Sequence, residues 1–171
     1  DDYDHMIRQA QSMFADIGYG LDEFFQLMVD GQFMDLKNRE GKAGGGFCTS
    51  FDQYGMPYIF ANFNGTRGDV EVFTHEMGHA FQGYMSRHQP WVEYLWPTYE
   101  SCEIHSMSLE FLTYPAMEKF FGERADDFRK LHLASSLVFL PYGVAVDHFQ
   151  HLVYESPTAS PAERHAMWQG L

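Results

Sequence analysis

Two histidines and a glutamate lie close together in the segment Thr74–Gln82, where their side chains could hold a metal ion. His75 and His79 are four residues apart and Glu76 follows His75 directly, which gives the pattern H-E-x-x-H. On a helix, residues at i and i+4 share one face, so both imidazoles reach one ion while Glu76 points to an adjacent angle. Zinc proteases hold their ion and their general base in this way.

The residues around this pattern separate it from a chance match. In a chain of this composition, a five-residue pattern of this kind arises by chance roughly three times in a hundred. Here, however, apolar residues recur at helical spacing on both sides, which predicts a buried helix rather than a solvated one. They are Val70, Val72 and Phe73 before the pattern and Ala80, Phe81, Tyr84 and Met85 after it.

A catalytic zinc site usually takes three protein ligands, so a third must come from elsewhere in the chain. The segment Tyr99–Leu112 offers carboxylates, of which we prefer Glu103. It lies 24 residues beyond His79, which leaves room for one helix to end and a second to return alongside it. Glu100, one turn earlier, is the competing ligand or a supporting residue. Glu110 either supports the ligands or pairs at the surface.

Three longer motifs make the pattern more specific: HEMGHAFQ from His75, EIHSMSLEFL from Glu103 and FLPYGVAVDHFQHLVYE from Phe139. Together they resemble the oligoendopeptidase F branch of the thimet-oligopeptidase-like family of zinc metallopeptidases. The resemblance extends upstream and so covers nearly the whole chain. It implies one Zn²⁺ per chain, bound by His75, His79 and Glu103, with Glu76 as the general base. The upstream matches are Asp35-Leu36, Gly41-Lys42, Gly45–Cys48 and Asn62–Thr66.

The same resemblance implies further catalytic groups and a substrate class. In this family, a segment after the zinc helices supplies histidine and tyrosine donors to the oxyanion of the reaction. We assign this role first to His151 and then to Tyr142 and Tyr154. The substrates are expected to be short peptides. The alternative is a core that binds zinc or peptide without catalysis, because its activity needs parts of a longer chain.

Charge and cysteine content limit the other possibilities. The 171 residues carry a net charge of −13 with only 11 lysines and arginines, so we expect no nucleic-acid partner. Cys48 and Cys102 are isolated, which favours free thiols and a cytoplasmic location. The sequence contains no apolar run long enough to span a membrane, and its first residues do not form a signal peptide, so we expect no membrane partner. The length suits a single catalytic-core domain over 1–171. The resemblance implies that this domain is a fragment of a longer helical peptidase, because members of the family are much longer than this chain. The oligomeric state is not determined by the sequence.

Helical periodicity and turn residues predict a mainly α fold with a small β-hairpin, and the resemblance implies a zincin-like (gluzincin) helical core. Asp69 is expected to cap the helix that carries His75 and His79. Pro141 is expected to end a helix that begins at Ala125. The other predicted helices cover 3–18, 21–28, 99–121 with a break near Pro115, and 142–155.

Two strands are predicted at 47–51 and 57–63, joined by the turn Asp52–Gly55. A strand at the edge of a sheet can pair with an extended peptide through its backbone. We assign that role to the segment Tyr58–Phe63, with a purely structural hairpin as the alternative. The glycine-rich stretch 37–46 lacks the order of a phosphate-binding loop, so we expect a mobile loop near the substrate cleft.

Overall fold

The computed structural model describes residues 2–171 and contains seven α-helices and three strands in that range. Short 3-10 turns connect several of them. None of the helices in this range combines the length and the apolar character needed to cross a membrane. The helices are α1 (Asp2–Ile17), α2 (Leu21–Asp30), α3 (Arg67–Ser86), α4 (Glu103–Leu112), α5 (Glu118–Phe121), α6 (Ala125–Glu155) and α7 (Pro161–Gln169). The strands are β1 (Met34–Lys37), β2 (Phe47–Phe51) and β3 (Met56–Phe63).

The chain divides into two compact units, one up to Ala125 and the other from Asp126 to Leu171. The first contains the sheet and α1 to α5. The second contains most of α6 and all of α7. The prediction of a single catalytic-core domain over 1–171 is not tested by this division and stays a prediction.

The core of the first unit is a cluster of aromatic rings from three helices. Phe14 of α1, Phe25 of α2 and Phe73 of α3 are fully buried. Their ring centroids are 5.2 to 6.1 Å apart. Burying a side chain of this size contributes about 1.5–3 kcal/mol, so this cluster fixes α3 against the two N-terminal helices. The predicted helices at 3–18 and 21–28 are confirmed as α1 and α2, which differ only at their ends.

The sheet confirms the predicted hairpin and adds a strand that the sequence did not indicate. β2 pairs with β3 in antiparallel register, with Cys48 opposite Ile59. β1 pairs with β3 in parallel register, with Met34 opposite Ile59. The strand order is therefore β1-β3-β2, and β3 is central. The assignment of Tyr58–Phe63 as a peptide-binding edge strand is wrong, because both edges of β3 are already paired.

Helix α3 begins two residues before the predicted cap. Thr66 occupies the N-cap position without a side-chain hydrogen bond, and Asp69 lies inside the first turn. From there the Asp69 carboxylate accepts hydrogen bonds from the backbone N–H groups of Asn64, at 3.1 Å, and Gly65, at 2.7 Å. Asp69 therefore holds the preceding loop against the helix, and its assignment as the N-cap is wrong.

Two predictions about proline have opposite outcomes. The break near Pro115 is confirmed, since α4 ends at Leu112 and a 3-10 turn follows at Tyr114–Ala116. The predicted stop at Pro141 is wrong, because α6 runs through it to Glu155. An interior proline removes one backbone donor and costs about 3 kcal/mol, which a long helix can absorb as a local kink.

Candidate metal centre

Helix α3 presents the two histidines of the H-E-x-x-H pattern on one face. The ring centroids of His75 and His79 are 4.9 Å apart, and the rings are nearly perpendicular at 81°. Both side chains are mostly buried, with 28% and 14% of their surface exposed. The two imidazoles are therefore adjacent on one face of α3, as their spacing in the sequence predicts.

Gly78 lets α4 approach this face closely. A Cβ at Gly78 would lie 2.5 Å from the Cα of Ser106 and 2.6 Å from the carbonyl oxygen of His105. Neither backbone atom can move without moving α4, so only glycine fits here. The close approach brings Glu103, the first residue of α4, to the histidines of α3.

Glu103 completes a cluster of three potential ligands. Its Oε2 lies 3.0 Å from Nε2 of His75 and 3.3 Å from Nε2 of His79. One ligand atom from each residue lies within 4.8 Å of the other two. Ligands at tetrahedral angles around Zn²⁺, each about 2.0–2.1 Å from it, are roughly 3.3 Å from one another. The donor types and their separations therefore fit a zinc ion.

Two side chains of α4 orient these groups. The Glu110 carboxylate lies 2.6 Å from Nδ1 of His75, so with Nδ1 protonated the ring donates to Glu110 and leaves Nε2 free to bind a cation. Ser106 Oγ donates to Oε2 of Glu103 at 2.8 Å. Contacts of this kind fix the ring tautomer and the orientation of the ligands. The sequence analysis left the role of Glu110 open and missed Ser106.

Glu76 is buried beside the cluster, with 7% of its surface exposed. Its Oε2 has no hydrogen-bond partner among residues 2–171. Burial raises the pKa of the Glu76 carboxyl, the charge of His75 opposes the rise, and the charge of Glu103 adds to it. A buried carboxylate oxygen without a partner is costly, and such groups concentrate at functional sites.

Burial and charge act differently on the three cluster residues. Burial lowers the pKa of His79, which favours the neutral imidazole that a metal requires. Burial alone would raise the pKa of Glu103, but the hydrogen bond from Ser106 and the two histidines lower it overall. Burial acts to lower the pKa of His75, but the hydrogen bond and charge of Glu110, together with the charges of Glu76 and Glu103, raise it overall.

The competing third ligand is not in the cluster. Glu100 lies in the turn before α4, and its side chain is exposed. The predicted helix at 99–121 begins only at Glu103, so Glu100 does not lie one turn earlier on the same helix. The geometry thus favours Glu103 over Glu100.

The three predicted oxyanion donors all lie on α6, within the second compact unit. Tyr142 and Tyr154 are exposed, with 58% and 80% of their surface accessible. Nε2 of His151 lies 3.6 Å from the Asp147 carboxylate, one turn earlier on the same helix. The ring of Tyr142 also contacts Trp168 of α7, with centroids 6.4 Å apart. Their catalytic roles stay predictions.

The fold and the cluster define a class of protein. A mainly helical chain with a small sheet, and an H-E-x-x-H helix packed against a helix that supplies a carboxylate, is a zincin-like core. The profile of peptidase family M3 matches residues 21–169, and the chain belongs to that family.

Solved structures agree with this family. A protein assigned as oligoendopeptidase F matches with 55% identity and a TM-score of 0.94 over 99% of this chain and 30% of its own. A second, from Bacillus anthracis strain Ames, matches with 53% identity and a TM-score of 0.92 over 98% of this chain and 31% of its own. Pz peptidase A, with an inhibitor, matches with 51% identity and a TM-score of 0.94 over 99% of this chain and 30% of its own. This chain therefore spans less than a third of the length of these three solved structures. Comparison with curated protein sequences finds no match.

Proposed function

We propose that the complete protein is a zinc metalloendopeptidase that hydrolyses short oligopeptides, with one Zn²⁺ held by His75, His79 and Glu103. The observation that carries this is the position of Glu103 Oε2, within 3.0 and 3.3 Å of the two histidine Nε2 atoms. The family and the neighbouring structures support a peptidase. When bound, zinc polarises the scissile carbonyl and makes water more acidic.

In this mechanism, Glu76 is the general base. It takes a proton from the attacking water on a carboxylate oxygen and passes it to the leaving amine. The buried Oε2 without a partner supports this role, since it is available to accept that proton. Glu110 keeps Nδ1 of His75 protonated, and Ser106 holds Oε2 of Glu103 in place.

His151 is proposed to donate to the oxyanion, with Tyr142 and Tyr154 as the next candidates. The support comes from the resemblance of their motif to the oligoendopeptidase F branch. One such donor contributes a factor of about 10²–10³ in rate. The expected location is the cytoplasm, and the two free cysteines support this proposal.

A second candidate is a core that binds metal and peptide without cleaving it. The observation that favours it is the coverage: this chain spans only 30–31% of the related structures. Residues that close the substrate channel of a peptidase would then have to come from outside the chain.

Glu76→Gln in the complete protein tests the mechanism. The variant should retain about one zinc per chain, because the three ligands are untouched, and should lose nearly all peptide hydrolysis. Metal content by atomic emission and cleavage of an internally quenched peptide are the measurements. Activity like that of the wild type would contradict the role of Glu76. Zinc in the wild type without cleavage of any peptide would favour the second candidate.

A further inference from the structure

The glycine-rich connection between β1 and β2, residues 38–46, is exposed but anchored. It ends beside the proposed general base: a Cβ at Gly46 would lie 3.2 Å from Cγ1 of Val72 and 3.9 Å from Oε1 of Glu76. Glycine loses more conformational freedom on ordering than any other residue, so Gly44, Gly45 and Gly46 would by themselves favour a mobile loop. Two side chains oppose that mobility, one within the connection itself and one on β3.

The first is Lys42, whose side chain is only 1% exposed. Its Nζ donates to the backbone carbonyls of Ala61, Lys37 and Asp35, at 2.5, 2.9 and 3.0 Å. It also lies 3.1 Å from the Asp35 carboxylate and 4.5 Å from the centre of the Phe60 ring. A buried ammonium is costly unless its donors are satisfied, and here they bind β1 and β3. Lys42 therefore fixes the start of the loop to the centre of the sheet.

The second is Asn62 of β3. Its Nδ2 donates to the carbonyl oxygen of Ala43 at 2.9 Å and to that of Gly45 at 2.8 Å. One amide group thus bridges two alternate carbonyls of the loop. Gly45 adopts a φ of +93°, a region that favours glycine, so the loop has one defined path between these contacts.

We propose that Lys42 and Asn62 are positioning residues that hold the backbone of Ala43–Gly46, whose last residue lies beside Glu76, in place to bind the main chain of the peptide substrate. This inference rests on the proposed peptidase function. This segment consists of one alanine and three glycines, all exposed. A ligand would therefore meet mainly its backbone N–H and C=O groups. Main-chain hydrogen bonds give affinity for extended peptides with little sequence selectivity. Holding them in place before binding removes part of the ordering cost.

Asn62→Ala and Asn62→Asp in the complete protein test this inference. The aspartate keeps the shape but loses both donors. Asn38→Ala is the matched control, because Asn38 accepts a hydrogen bond from the Arg39 N–H within the same connection but outside Ala43–Gly46. The measurements are kcat and KM on a short internally quenched peptide, amide hydrogen exchange over residues 43–47, and zinc content.

Both Asn62 variants should raise KM about tenfold, which corresponds to two hydrogen bonds of ordinary strength. The change in kcat should be much smaller, exchange of the loop amides should accelerate, and zinc content should stay the same. Asn38→Ala should leave all of these unchanged. Lys42→Met should act in the same direction as the Asn62 variants, and if it fails to fold, those variants decide.

Faster exchange with an unchanged KM would overturn the inference, since the loop would then be mobile without effect on substrate. Unchanged exchange would overturn it because Asn62 would not hold the loop. Loss of zinc in the Asn62 variants would also overturn the inference, because Asn62 would then have a general structural role. If the wild type itself cleaves no peptide, the proposed function fails and the inference fails with it. A clear wild-type activity therefore distinguishes the two failures.

Discussion

The Glu110 carboxylate lies 2.6 Å from Nδ1 of His75, on the side of the ring opposite the Nε2 that faces Glu103. The imidazole is therefore held between two carboxylates, one on each nitrogen. Only one of these, Glu103, also lies near His79. The two acids of α4 thus have separate roles. Glu103 belongs to the cluster of potential ligands, and Glu110 fixes the orientation of the His75 ring.

Glu110→Gln should weaken zinc binding roughly tenfold, because the amide replaces a charged acceptor by a neutral one of the same size. The backbone contact from Thr113 Oγ1 to the Glu110 carbonyl, at 2.8 Å, does not depend on the side chain. Competition with a chromophoric chelator measures the affinity. Glu123→Gln, at an exposed position, is the matched control. An affinity equal to that of the wild type would show that Glu110 does not support the ligand.

Gly78→Ala should separate α3 from α4, because its Cβ would overlap with the Ser106 backbone. Overpacking of this kind costs about 1–3 kcal/mol or more and should also reduce zinc affinity. Gly68→Ala is the control, since a Cβ there meets only Thr66 Oγ1 at 3.5 Å. Alanine should be neutral or slightly stabilising at that position. Thermal unfolding and zinc titration measure both effects, and equal behaviour of the two variants would contradict the close approach.

Cys48 should react slowly with alkylating reagents near neutral pH. Burial, helped by the charge of Glu76, raises the pKa of its thiol to about 12, against a backbone hydrogen bond with Tyr58 that acts to lower it. The folded state therefore binds this proton more tightly than the unfolded state, whose thiol has its ordinary pKa of 9.0. The resulting stability is complete below that value and is lost as the pH rises toward 12.

A Cys102→Ser background isolates the Cys48 thiol for this measurement. Labelling with iodoacetamide should accelerate with each step in pH above neutrality, and denaturant should remove the protection. Adding Cys48→Ala should reduce the loss of stability between pH 9 and 12. Rapid labelling of native protein at neutral pH would contradict the raised pKa.

His151→Ala should lower kcat by a factor of about 10²–10³ while zinc content stays unchanged, if His151 donates to the oxyanion. His165→Ala is the control on the neighbouring helix α7, where the histidine is exposed. Steady-state kinetics and metal analysis give both readouts. An intact kcat would exclude His151 and move the assignment to Tyr142 or Tyr154.

The sequence predicted the centre of this structure because its signal is local. His75 and His79 need only helical spacing to meet, and apolar residues at the same period predict the buried helix that carries them. The hairpin from Phe47 to Phe63 followed from β-forming residues around a turn. In each case, residues near one another in the chain determine the outcome.

The largest error concerns a relation between distant segments. β1 is only four residues long and pairs in parallel with β3, so no hairpin turn marks it in the sequence. Without β1, β3 was taken for an edge strand. The contact of Ser106 with Glu103 is local, three residues apart on α4, but its importance depends on the two histidines of α3 that meet the same carboxylate. Pro141 was given too much weight, because one missing donor is small beside the rest of a 31-residue helix.

Gly78 gives the cluster an unusual dependence on the main chain. A glycine in mid-helix lowers helix propensity by about 1 kcal/mol relative to alanine, so α3 is locally weaker where it passes α4. In exchange, the two backbones touch, and the reach of Glu103 is set by peptide atoms rather than by flexible side chains. A substitution far from the histidines could shift α4 by the width of a methyl group. Such a shift would move Glu103 away from His75 and His79, although all three ligand residues would still be present.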